Sequence, residues 1–170
     1  MAEVTLHFSI AGVKPMQFNR IALDLRDFSE PLREIGHVIH DSIRTQFRRE
    51  GGVVGDKWAA LKKWYAARKA RRYPGKTILR ATDRLMLSIT SEHAQGSVFE
   101  VTPTQLTVGT DVTTPDGRWN LGLIHDKGAP RANITARPII VVPTSARTRI
   151  RVVFRQWLER KAAAADLTLT

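Results

Sequence analysis

Val4, Leu6, Phe8 and Ile10 alternate with Thr5, His7 and Ser9, the period of a half-buried strand, and Ala11-Gly12 ends the run. Gly12 and Pro15 turn the chain toward a second alternating patch, Ile21, Leu23 and Leu25, which suits a strand or the start of a helix. From Ser29 to Arg49 the period changes. Leu32, Ile35, Ile39, Ile43 and Phe47 recur at spacings of three and four, one stripe of a long helix. Ser29 is the expected N-cap, Pro31 is tolerated in the first turn, and Gly51-Gly52 supplies the stop. Trp58, Leu61, Trp64 and Tyr65 then recur at near-helical spacing in a lysine- and arginine-rich segment that ends at Pro74-Gly75. A further helix is expected over Ile78–Ser91, with Leu79, Leu85, Met86 and Ile89 on its apolar side. Alternation returns at Ser97–Val101 and at Leu106–Val108 around Pro103-Thr104-Gln105, a hairpin signal. Thr113–Gly117 reads as a turn. Pro143 precedes a last helix, capped by Thr144 or Ser145, with Ile150, Val153, Phe154, Trp157 and Leu158 toward the core.

The pattern predicts one α+β domain over residues 1–170. A small antiparallel sheet or β-hairpins would pack with two or three helices, a long N-terminal one and a C-terminal one among them. Residues 1–28 read as an N-terminal strand extension and residues 162–170 as a flexible tail, frayed unless a partner holds it.

Composition narrows the function. The chain has no cysteine, which excludes disulfides, thiolate nucleophiles and Cys-bearing zinc sites. The N-terminus lacks a basic stretch followed by an apolar core, and no apolar run approaches a membrane span, so the chain is expected to be cytosolic at synthesis without a membrane role. The net charge of +11 is concentrated in two segments. Residues 57–76 carry eight basic groups and no acidic one, and residues 131–165 carry eight against Glu159 alone. Such clusters suit a polyanion or an acidic protein partner, or else are solvated faces that keep the chain soluble.

Catalytic motifs are missing. The acidic residues are scattered, and no zinc-protease, serine-hydrolase or glycine-rich cofactor pattern occurs, so the chain does not read as an enzyme and no cofactor is expected. Gly51–Trp58 superficially resembles a phosphate loop. It has Asp56 where glycine must precede the lysine and Trp58 where Ser or Thr must follow it, and it is preceded by a helix. His37 and His40 are three residues apart on one helix without an evident third ligand, so no metal site is expected. His125, between Ile124 and Asp126 and just ahead of Gly128, is the one catalytic candidate; a lone histidine beside a turn is more often a structural hydrogen-bonding residue.

The order of these features nevertheless carries a resemblance. A helix leads into Gly55-Asp56-Lys57-Trp58. Ile78-Leu79 follows, with Thr82, Leu85, Ser88 and Ile89, and then a hairpin ends in Val108-Gly109-Thr110. After Ile124-His125 and Gly128 come Ile134, Ala136, Arg137 and Pro138, ahead of the final helix. Over about residues 29–160 this arrangement resembles the phage virion morphogenesis family, which includes tail completion proteins. Leu121, Gly122, Asp126 and Ile139 stand where the family usually has Tyr, Ala, Gln and Phe.

The resemblance implies a structural protein of the phage neck or tail end, a ring subunit that completes the tail or joins it to the head. Its partners would be further copies of itself, six-fold by position, the tail tube, a tail terminator or connector, and packaged DNA. Trp58, Trp64, His125, Arg137 and Pro138 are the candidate subunit or partner contacts, with Arg137 expected to fork onto a carboxylate of its own chain or a neighbour. Lys62, Lys63, Arg68, Lys69, Arg71, Arg72, Arg147, Arg151 and Arg155 are the candidate DNA-facing residues. The alternative is a stand-alone basic nucleic-acid-binding protein.

Overall fold

The structure is a computed structural model that describes residues 2–7, in their backbone, and residues 26–164. Its elements are β1 (Ala2–His7), α1 (Ser29–Arg49), α2 (Lys63–Arg72), α3 (Arg84–Thr90), β2 (Ser97–Val101), β3 (Gln105–Thr110), α4 (Leu121–Lys127) and α5 (Thr144–Ala164). This is an α+β fold with a long N-terminal and a long C-terminal helix. The sheet has the order β1-β3-β2 with both pairings antiparallel, Val108 standing opposite Val4 and Phe99. β1 is therefore a strand of the sheet itself. The continuation expected over residues 8–10 and the Ile21–Leu25 patch lie outside the described residues.

α1 is the axis of the core. Its stripe of Leu32, Ile35, Ile39, Ile43 and Phe47 is fully buried, as the three-and-four spacing requires. α1 packs against β2 and β3 on one side and against α5 on another. Val153 and Trp157 of α5 close the far side, where Trp157 meets Phe28 with ring centroids 5.3 Å apart. Gly36 matters because the Phe99 ring lies directly on it: a Cβ there would come within 2.4 Å of Phe99 Cε2.

Local structure departs from the sequence pattern in four places. At the start of α1 the Asp27 carboxylate, rather than Ser29, accepts the exposed backbone N–H, at 2.8 Å from Ser29 N. The helix expected over 78–91 is only α3, because Leu79 and Asp83 adopt left-handed φ of 59° and 58°. Both are held there by polar partners. Ile78 N–H donates to Glu50 Oε1 at 2.6 Å, and the Asp83 carboxylate takes Arg80 at 2.8 Å and Lys76 at 2.5 Å. Finally, residues 121–127, to which no element was assigned, form a short helix, and α5 continues through residues 162–164.

Candidate interaction groove and its supporting loop

The segment from Trp119 to Ile140 is built from its backbone outward. Asn120 caps α4 by accepting from Leu123 N at 2.8 Å, while its amide donates to the Thr110 carbonyl at 2.8 Å, tying α4 to the end of β3. Gly128 ends α4 with φ 78°, and a Cβ there would stand 2.8 Å from Ala136 N, so the loop can fold back only over a glycine. Ala129 and Ile134 exchange backbone hydrogen bonds around a 3-10 turn at Pro130–Ala132. The His125 carbonyl then accepts from Arg137 N at 2.7 Å, and the Asp126 carboxylate from Ile139 N at 2.8 Å.

Arg137 is buried, and its guanidinium meets carbonyls instead of a carboxylate. Nε and Nη2 donate to Ala59 O at 3.2 and 2.9 Å, and Nη1 donates to Thr135 O at 3.2 Å. The expected ion pair is thus replaced, within the chain, by a clamp on the segment leading into α2. Pro138 offers its carbonyl to Gln46 Nε2 and Trp58 Nε1, each at 2.9 Å. Trp58 is accordingly an interior residue, edge-on to Phe47 with centroids 5.5 Å apart, and not a surface contact. Its turn demands Gly51, whose φ is 88° and whose absent Cβ would meet Trp58 N at 2.6 Å.

Between α2, the 79–85 turn, α4 and this loop lies a groove of about 570 Å³. Leu61, Leu79, Leu85, Leu121 and Ile134 supply its apolar surface, and Lys62, Arg68, Lys69, Arg84 and Arg137 its charge. No described carboxylate lines it. Trp64 stands 64% exposed at one side, with Tyr65 edge-on to it at 5.7 Å. The Arg68 guanidinium sits over both rings, at 5.4 and 5.2 Å from their centroids. His125 lines the opposite wall with a buried Nδ1 that has no hydrogen-bond partner. Burial, then the nearby Arg137 charge, lowers the His125 pKa and favours the neutral ring.

The structure thus brings Trp64, His125 and Arg137 together and leaves Trp58 and Pro138 behind them as support. The candidate DNA-facing residues divide. Lys62, Lys63, Arg68, Arg71 and Arg72 are exposed on or beside α2. Lys69 is not: it is buried, and its ammonium donates to the Thr77 carbonyl, so its aliphatic stem packs inward and its charge is spent within the chain. Desolvation lowers its pKa, opposed by Glu50 and Asp83. Arg147, Arg151 and Arg155 are exposed on α5, a separate surface from the groove, with Arg155 3.6 Å from Glu159 and Arg147 donating to the Val142 carbonyl. Tyr65, Arg84 and Leu61 line the groove but were not among the candidate contacts; Leu61 and Tyr65 stand in the same near-helical run as Trp64, which was the available signal.

Among the described residues no group of three or more His, Cys, Asp or Glu side chains could hold a metal ion, and no helix is long and apolar enough to cross a membrane. His37 and His40 flank the Phe99 ring, with centroids 5.8 and 5.0 Å from it.

The remaining motif residues are joints as well. Ser88 Oγ lies 2.8 Å from Thr110 Oγ1, a fully buried hydroxyl pair that fastens α3 to β3. With this geometry in view, comparison with family models is decisive: the model of the phage virion morphogenesis family matches residues 14–159. The chain belongs to that family. The match begins well ahead of residue 29, so part of the N-terminal region set aside as an extension belongs to the shared family sequence. Comparison with curated proteins and with solved structures finds no match. Membership makes this a protein with a structural or assembly role in the phage virion.

Proposed function

We propose that the chain is the subunit of a ring at the phage neck or tail end, where it completes the tail and joins it to the head. The observation that carries this reading is exposed aromatic surface: Trp64 at the groove and Trp119, on the Thr113–Asn120 loop, are both more than half exposed. Large apolar side chains held in water around a preformed concavity are a feature of surfaces that other chains cover. A ring position supplies such a neighbour on each side, and a head-to-tail contact closes when its rotation does. Six-fold closure matches the expected position.

Mass photometry and negative-stain electron microscopy of the purified protein, alone and with tails that lack it, test the proposal. Rings, or density added at the head-proximal end of the tail, are the expected result. A persistent monomer that leaves tails unaltered overturns it.

A second reading, contact with packaged DNA, is favoured by Lys62, Lys63 and Arg71, which are exposed and have no ion pair among the described residues. Anisotropy of a labelled duplex should then fall steeply with salt. Absence of binding at low ionic strength removes this reading.

A further inference from the structure

We propose that the groove between α2 and α4 is a docking site for an acidic segment of another virion protein, one that places carboxylates beside an apolar anchor side chain. The inference concerns the ligand chemistry of the groove, and it stands or falls separately from ring formation.

Charge complementarity selects the occupant. Five cationic side chains line the groove and no described carboxylate does. Two of the five are already committed to carbonyls of this chain, Lys69 to Thr77 and Arg137 to Ala59 and Thr135. Lys62, Arg68 and Arg84 remain exposed, with no ion pair among the described residues. An incoming carboxylate therefore meets guanidinium forks that need not abandon an internal partner, and Arg68 is already pre-set by its stack on Trp64 and Tyr65.

The rest of the lining argues for a peptide over a nucleic acid. Leucine and isoleucine side chains from four separate segments form the apolar surface, which suits an aliphatic or aromatic anchor entering from one side. A phosphate backbone would leave that surface unused. The Trp64 ring already carries Arg68 over it, which occupies a face that a stacking base would need.

The test is selection of random heptapeptides displayed on a non-tailed carrier against the full-length immobilised chain. A parallel selection uses the double variant Arg68→Glu/Arg84→Glu, with circular dichroism melts confirming that the variant folds. Enrichment of Asp or Glu beside Leu, Phe or Trp is expected on the unaltered chain and not on the double variant. A fluorescein-labelled copy of the enriched peptide should bind the double variant at least about tenfold more weakly, and Arg151→Glu on α5 with unchanged affinity. No enrichment, enrichment of neutral or basic peptides, or equal binding to the double variant overturns the proposal. So does displacement of the peptide by a single-stranded oligonucleotide at lower concentration than by the unlabelled peptide, which would reassign the groove to nucleic acid.

Discussion

Replacing Arg137 by methionine keeps an unbranched stem in the groove wall and deletes the guanidinium, which isolates the clamp from packing. The magnitude follows from the three contacts. A hydrogen bond from a charged donor contributes about 1.5–3 kcal/mol net. Two of the three share the Ala59 oxygen, so the set counts as about two bonds, or roughly 3–6 kcal/mol. Opposing this, burial disfavours the charged form and lowers the Arg137 pKa, with Tyr65 acting weakly the other way. Halving the sum for that desolvation leaves about 1.5–3 kcal/mol. For a chain of this size the melting temperature should fall by about 3–12 °C, at roughly 2–4 °C per kcal/mol. Arg137→Lys should recover only part of the loss, because one ammonium cannot reach two carbonyls on different segments with the same fork. Thermal unfolding followed by near-UV circular dichroism reads both variants. A methionine variant within about 1 kcal/mol of the parent, or a lysine variant equal to it, would show that the clamp does not hold the loop to the segment before α2.

Three further outcomes are expected. Gly128→Ala should destabilise by about 2 kcal/mol or more in urea titration, since a left-handed φ and a Cβ 2.8 Å from Ala136 N combine; an unchanged midpoint would contradict the close approach. Gly36→Ala should also destabilise, despite alanine's better helix propensity, and Phe99→Leu in the same chain should restore much of the loss; additive losses would deny that the ring is the obstacle. His40 has a pKa lowered to about 4, by burial first and then by His37 and Arg44, against an ordinary 6.5. As pH falls from 6.5 toward 4, the unfolded imidazole takes a proton that the folded one refuses, so stability drops across that window and levels off below it. The lowered pKa of His125 acts with the same sign. His40→Gln should flatten the urea midpoint against pH in that range, and an unaltered slope would remove His40 as a cause.

Long periodic segments were legible because their burial follows from spacing alone. The stripe of α1 is buried residue for residue, and Val153 and Trp157 of α5 face inward as their spacing indicates. Where the chain was misread, a long-range polar contact had overridden the local pattern. Ile78 and Leu79 have helical spacing to Leu85 and Ile89, yet Glu50 captures the Ile78 N–H and the helix starts six residues late. Trp58 looked like the first member of an aromatic surface, but Pro138, 80 residues away, holds its indole inside. Lys69 and Arg137 were read as charges for a partner, and carbonyls invisible in the sequence consume them. Trp64 and Arg68 kept their expected exposure because nothing distant reaches them.

The single carbonyl of Pro138 has a consequence for timing. It receives Gln46 from 92 residues upstream and Trp58 from 80, and Arg137 beside it reaches back 78 residues to Ala59. None of these contacts can form on the ribosome until Arg137 and Pro138 have emerged, and contacts so distant in sequence are slow to close. The two walls of the groove are therefore joined last. A half-made chain has α1 and the α2 segment but no groove, so it has nothing to offer a tail or a neighbour. Assembly competence arrives with the completed subunit.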